Sequence, residues 1–434
     1  MKMEKKAKIV VMVPYPAQGH VTPMLKLATS FLDFGFRPVL VVPEFIQRRM
    51  RDKVGSAGEG IRWLWLQDGL DERKGRDFFA IEEAMENRMP VHLERLIRKM
   101  TESDGEDDEG GVAFVVVDLL ASWAIDVAQN RCRVPTAGFW PAMLSTYSLI
   151  TAIPDLLKRG LISQSGIPKH EGAVLFEEDH PLILRTEDLP WLIGTTSASK
   201  SRFKFWARIL SRSRSLQWLL VNSSQDDHIE RLNSTAIMGR QSMKLGLSRR
   251  MRSWVSPVTE AEVRNIASAL EESRVPYIWA LGPRWPRCRP IVLPTERVSR
   301  QGRVVAWAPQ VEILQHSAVG CFLTHCGWNS TLEGIQSRKC LLCYPIAGDQ
   351  FLNCAYIVRV WKIGVRIEDF SVGGVRDGIK RVMEDGEMKK RMLVLNEMIM
   401  GEQARSKRMD NMRSFIEGVE VSAPLKLPFE VSCS

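Results

Sequence analysis

No apolar run in this chain reaches the roughly 20 residues needed to cross a bilayer, so no membrane span is expected. The opening MKMEKKAKIVVMVPYP is basic, but its apolar run is too short for a secretory signal and is broken by Pro14 and Pro16. A cytoplasmic protein is therefore expected, and the N-x-S/T triplets at Asn222, Asn233 and Asn329 carry little meaning without secretion. The eight cysteines are scattered through apolar, strand-like surroundings, which suits reduced core thiols. Cys340 and Cys343 form a C-x-x-C, yet CLLCYP reads as a strand in which the two point to opposite faces. No matching ligand pair accompanies them, so no metal is expected. Nor does a G-x-G-x-x-G follow the first apolar strand; PYPAQGH stands there instead, which argues against a nicotinamide-dependent oxidoreductase.

What is present is ordinary globular material in quantity. The 434 residues imply two or three domains, with 45% hydrophobic and 26% charged residues. The formal charge of +9, dense around residues 201–215 and 248–254, invites a nucleic-acid reading. No recognised nucleic-acid module accompanies it, and a solvated helix face or an anionic small ligand explains it equally well.

The first half alternates strand and helix. Residues 8–13 (KIVVMV) form a continuous apolar run, expected as a central strand buried on both faces. A helix over 21–33, strands over 37–42 and 61–66, and a long amphipathic helix over 78–100 follow. Residues 101–111 read as an acidic loop, and strands are expected at 112–117, 136–140 and 216–221. Repeated β-α units of this kind build a doubly wound parallel sheet, whose ligands sit off the carboxyl ends of the strands. By that rule His20, in the loop after the first strand, and Asp118, closing a later one, can meet. A carboxylate holding one imidazole nitrogen leaves the other as a base near neutral pH. From spacing alone, a surface or structural histidine remains the commoner outcome.

Residues 225–252 read as an interdomain linker with no apolar run fit for a buried strand, yet a helix over 259–272 and a strand over 277–282 follow at once. A βαβ unit normally places a strand before such a helix. The pattern then resumes with a strand at 303–306, a short helix at 310–314 and the stretch from Trp307 to Gln350. There a strand over 319–324 runs through His325, Cys326 and Gly327 into a helix capped by Asn329 or Ser330, with Glu333 in its first turn. A strand delivered onto a fresh helix N-terminus favours an anion, because unpaired N–H groups and the helix dipole face the loop. His325 can donate to a phosphate, Gly327 allows close approach, Trp307 offers a flat face for a base and Glu333 suits a vicinal diol. This points to a nucleotide diphosphate.

The run WAPQ, then L-x-H, THCGWNS, a glutamate and a closing DQ resembles the signature box of the plant family-1 UDP-glycosyltransferases. PAQGH and VVDLLASWAIDVA are similar to the family's acceptor-side segments, and SWVSP with CYPIAGDQ points to its small subfamily eighty-two. The resemblance implies an α/β protein of two facing Rossmann-like domains, the GT-B fold: residues 1–224 for the acceptor, a shortened linker at 225–252, residues 253–417 for the UDP-sugar, and a tail at 418–434. The last helices would pack back on the first domain. It implies that His20 deprotonates the acceptor hydroxyl while Asp118 balances the imidazolium. Trp307 would stack on uracil beside Ala308, Gln310 and Glu333 would bind ribose, and His325, Trp328 through its backbone, Asn329 and Ser330 the diphosphate. Asp349 and Gln350 would hold the sugar, with the terminal Gln favouring glucose.

Ser253 is what remains of a Ser-Phe-Gly-Ser turn that the family places after the first strand of the second domain. Arg338-Lys339-Cys340 replaces the usual Gly-Val-Pro, and Tyr344 a common Trp. Trp140, Met143, Tyr147 and Trp191 are expected to wall the acceptor pocket. The implied activity is an inverting transfer of glucose from UDP-glucose to a small lipophilic acceptor, by a monomer without metal or cofactor. The shortened linker leaves a degenerate nucleotide-sugar-binding homologue as the alternative.

Overall fold

The computed structural model describes residues 7–50, 59–70, 78–102, 110–170, 173–174, 184–223, 236–238, 259–280, 302–305 and 308–421. The first unit runs β1 (Lys8–Val13), α1 (Gln18–Asp33), β2 (Arg37–Pro43), α2 (Glu44–Met50), β3 (Arg62–Leu66), α3 (Phe78–Asn87), α4 (Met89–Glu102), β4 (Gly110–Asp118), α5 (Trp123–Asp126) and β5 (Thr136–Trp140). It continues through α6 (Leu144–Thr151), α7 (Ile153–Lys158), β6 (Ala173–Val174), β7 (Leu184–Arg185), α8 (Thr196–Ser213), β8 (Trp218–Val221) and β9 (Ala236–Met238). A seven-stranded sheet forms in the order β3-β2-β1-β4-β5-β8-β9, all neighbours parallel. β1 lies in its interior between β2 and β4, and its residues after Lys8 are all buried, as the unbroken apolar run requires.

Three local expectations are corrected. The helix expected over 78–100 is two, α3 and α4, because Pro90 has no N–H to give the preceding turn and interrupts the ladder. The first helix begins at Gln18, so His20 lies in its first turn; the Ala17 carbonyl already accepts from His20 N (2.9 Å) and Val21 N (3.0 Å). The linker does supply a strand, β9. It is three residues at the sheet edge beside β8, too short to show as a periodic run.

The second unit runs α9 (Glu260–Ser273), β10 (Tyr277–Ala280), β11 (Gly302–Val305), α10 (Gln310–Gln315), β12 (Cys321–Thr324), α11 (Trp328–Gln336), β13 (Cys340–Cys343), α12 (Gln350–Ala355) and β14 (Gly364–Arg366). It ends with α13 (Val372–Glu384), α14 (Gly386–Met400) and α15 (Glu402–Val421). Thr259 opens α9 with a reciprocal capping box to Glu262. Among the described residues the parallel strands form two groups, β10-β11 and β12-β13-β14. In the first unit β1 joins the pair β2-β3 to the run β4-β5; in the second, the corresponding groups stand without a described strand between them. Ile278 on β10 is 56% exposed and Val304 on β11 36%, unusual for strands of a doubly wound sheet.

The last helix returns to the first unit. Phe415 is fully buried, with its ring 5.3 Å from Phe114, 5.6 Å from Trp218 and 6.2 Å from Phe31. The basic stretch 201–215 is mostly α8, where Arg208 pairs with Glu82 and Arg212 makes two 2.8 Å bonds to Glu86. No helix among the described residues is long and apolar enough to cross a membrane.

Candidate active site

β1 and β4 are adjacent parallel strands, so the turns at their carboxyl ends meet. There His20 Nδ1 lies 2.7 Å from Asp118 Oδ2. The carboxylate is fully buried and also accepts from Tyr15 N (3.2 Å) and Leu120 N (3.0 Å), which fix both of its oxygens. The imidazole keeps 20% exposure, so it is held from behind and open in front. Tyr15 packs on it at 5.0 Å. Burial, with Asp118 adding to it, pushes the Tyr15 phenol well above its ordinary range and keeps it neutral beside the pair.

Across from this pair stands the β12–α11 turn. Gly327, rather than Asn329 or Ser330, occupies the cap position of α11; those two fall in its first turn and Glu333 in the second. A Cβ on Gly327 would lie 2.4 Å from His325 Nε2, so any side chain there would displace the largely buried imidazole that folds over this position. Trp328 Nε1 donates to the Asn222 carbonyl and Asn329 Nδ2 to the Gly19 carbonyl (2.8 Å), tying the start of α11 to the first unit beside His20. Ser330 is buried. Gln310 donates to Glu333, which brings the two expected ribose residues together. Ala308 is half-buried just before α10, whereas Trp307 and Ser253 lie outside the described residues.

Asp349 stands at the start of α12 and accepts from Asn353 Nδ2 (2.9 Å). Gln350 Oε1 accepts from Ile346 N (2.9 Å) and Ala347 N (3.0 Å), a loop clamp that leaves its amide N–H2 as the end able to reach a ligand. The expected acceptor walls divide. Trp140, Met143 and Trp191 have no accessible surface: Trp140 donates to the Met143 carbonyl (2.8 Å), and Trp191 donates to Gly166 (2.7 Å) and packs on Phe203. These three are core residues, since burial and indole N–H satisfaction are both achieved within the protein. Tyr147, half-buried against Trp140, remains accessible.

A family profile described as "UDP-glucoronosyl and UDP-glucosyl transferase" matches residues 248–406. UDP-glycosyltransferase 82A1 of Arabidopsis thaliana is 44% identical over 459 residues, covering 93% of this chain and 97% of that protein. The chain belongs to the UDP-glycosyltransferase family. It is thus a glycosyltransferase, similar also to UDP-glycosyltransferase 83A1 of the same plant at 28% identity, covering 95% of this chain and 96% of that protein. Among solved structures, UDP-glucose: anthocyanidin 3-O-glucosyltransferase in complex with UDP superposes with a TM-score of 0.77 at 22% identity, covering 97% of this chain and all of that one. That likeness establishes the GT-B fold of this glycosyltransferase. The alignment with the 82A1 protein spans more positions than the 434 residues of the whole chain, so that relative carries residues with no counterpart here.

Sequence reasoning missed one feature near the site. Cys326, Cys343 and Cys354 bring their sulfurs together from three elements. The C-x-x-C drew attention to Cys340, which instead stands opposite Cys321 on β12.

Proposed function

We propose that this glycosyltransferase moves glucose from UDP-glucose to a hydroxyl of a small lipophilic acceptor, with inversion. The observation that carries the reading is the half-open His20 held at 2.7 Å by a buried, doubly hydrogen-bonded Asp118. His20 Nε2 takes the acceptor's hydroxyl proton. The oxygen then forms its bond to the anomeric carbon from the face opposite UDP. The bond between that carbon and the diphosphate oxygen breaks, and UDP leaves with the electron pair. Asp118 offsets the imidazolium that results; general-base help of this kind contributes about 10²–10⁴-fold.

The donor side fits the same scheme. His325 and the N-terminus of α11 receive the charge that develops on the diphosphate, so the scheme calls for no metal. In this reading Gln310 and Glu333 bind the ribose and Trp307 stacks on the base. Asp349 and the Gln350 amide N–H2 take the sugar hydroxyls, and the terminal Gln of the box supports glucose. The acceptor hydroxyl approaches the open side of His20. Among the proteins of like fold, the UDP-glucose: anthocyanidin 3-O-glucosyltransferase is one that pairs a glucose donor with a small acceptor. A cytoplasmic monomer suits such substrates.

A second reading, a family member with a weakened donor half, is favoured by the separation of β10-β11 from β12-β13-β14 and by the exposure of Ile278 and Val304. Calorimetric titration with UDP-glucose, and with UDP alone, separates the two. Saturable binding supports the transferase reading. No binding by a chain that is folded by circular dichroism selects the second.

A further inference from the structure

Cys326 follows His325 in the β12–α11 turn, Cys343 ends β13 and Cys354 lies in α12. All three are buried, and their sulfur atoms lie within 4.8 Å of one another. The meeting is built by several contacts. Thr324 stands opposite Cys343 across the parallel strands, so a turn just after Thr324 places Cys326 over Cys343. Cys326 turns there with φ of 64°, a left-handed conformation that a non-glycine residue rarely adopts. It is held so by Thr324 Oγ1, which accepts from its N–H (3.2 Å), and by Asn353 Nδ2, which donates to its carbonyl (2.8 Å). Asn353 precedes Cys354, so the same residue that fixes the turn also fixes the third sulfur.

Three thiols acting only as small apolar side chains would need burial but not one another. Here they face inward as a purely sulfur donor set, with no imidazole or carboxylate among them. Thiolate–metal bonds of about 2.3 Å set three sulfurs in a plane roughly 4 Å apart, within a small side-chain adjustment of the spacing found. All-thiolate sets select soft ions, cuprous copper foremost among three-coordinate ones.

We propose that Cys326, Cys343 and Cys354 form a site for one cuprous ion directly behind the His325–Gly327 turn. Binding forms copper–sulfur bonds in place of S–H bonds and releases the displaced protons to water; the oxidation state of copper and sulfur is unchanged. Copper draws Cys326 toward β13 and α12, and with it the adjacent His325 and the cap of α11. Filling the site therefore weakens UDP-glucose binding, a consequence that rests on the donor reading above.

The test uses the full chain, reduced and kept anaerobic, taking Cu(I) from a chromophoric chelator of known affinity. One copper per chain is expected, lost in Cys343→Ser and Cys354→Ser and retained in Cys132→Ser. Should the serine variants fail to fold, cysteine alkylation of the wild type in mild denaturant, where buried thiols label through transient opening, reads the same site by mass spectrometry. Copper then shields Cys326, Cys343 and Cys354 and leaves Cys132 labelled as before. No copper taken from the chelator, or labelling of the trio unchanged by copper, overturns the site. UDP-glucose affinity should fall at least tenfold on loading; an unchanged affinity at full occupancy overturns the coupling and leaves the donor reading intact.

Discussion

His20 and Asp118 act as a unit because the carboxylate has already committed its other contacts to Tyr15 and Leu120 backbone N–H groups. Asp118→Asn places a donor where three donors converge. Transfer should fall by about 10²–10⁴-fold, the range of a lost acid–base partner, with stability reduced by about 1–3 kcal/mol for the unsatisfied groups. Kinetics and denaturant unfolding on the one variant check both. Gly327→Ala should weaken UDP binding at least tenfold, because its methyl group would displace the His325 ring; unchanged calorimetric affinity contradicts that assignment. The His20–Asp118 pair was legible in the sequence because His20 follows β1 and Asp118 closes β4, and adjacency in a parallel sheet brings those two carboxyl ends together. The roles of Trp140, Met143 and Trp191 were not. Which face of an irregular segment an aromatic residue turns inward is set by tertiary packing, and each indole found its partner inside the protein.

Elements were legible where periodicity was long and failed where one residue decided the outcome. Strand β1 and the β12–α11 turn follow from unbroken apolar runs ended by polar or glycine residues. Pro90 split a helix whose apolar spacing was continuous across it, and β9 was too short to leave a pattern. The C-terminal helix α15 is anchored by Phe415 among Phe31, Phe114 and Trp218. Phe415→Ala should cost about 3–5 kcal/mol of stability in chemical denaturation, the range for emptying a fully buried aromatic site. The grouping of β10-β11 apart from β12-β13-β14 belongs to this scale too. Grafting a strand-forming segment of the Arabidopsis relative ahead of Thr259 should cover Ile278 and raise the melting temperature by several degrees. An unchanged melting temperature contradicts the idea that the sheet is short of a strand.

Beside the apolar anchor at Phe415, polar contacts that join the two units on the described residues include Trp328 to Asn222, Asn329 to Gly19, and Arg359 to the buried Asp188 at 2.5 Å. The first two begin on the donor-side helix and the second ends one residue from His20, so donor loop and base share one frame. Asn329→Ala should therefore lower kcat more than it lowers UDP affinity, a split that steady-state kinetics and calorimetry read together. The most direct measurement of the central claim is hexoside formation from UDP-glucose over a panel of phenolic and terpenoid acceptors, followed by mass spectrometry for the wild type and for His20→Ala. The account predicts acceptor-dependent glucoside and an equal amount of UDP from the wild type, with at least a hundredfold loss in the variant although UDP binding is unchanged. Undiminished product from His20→Ala, or no product from a wild type that binds UDP-glucose, would contradict it.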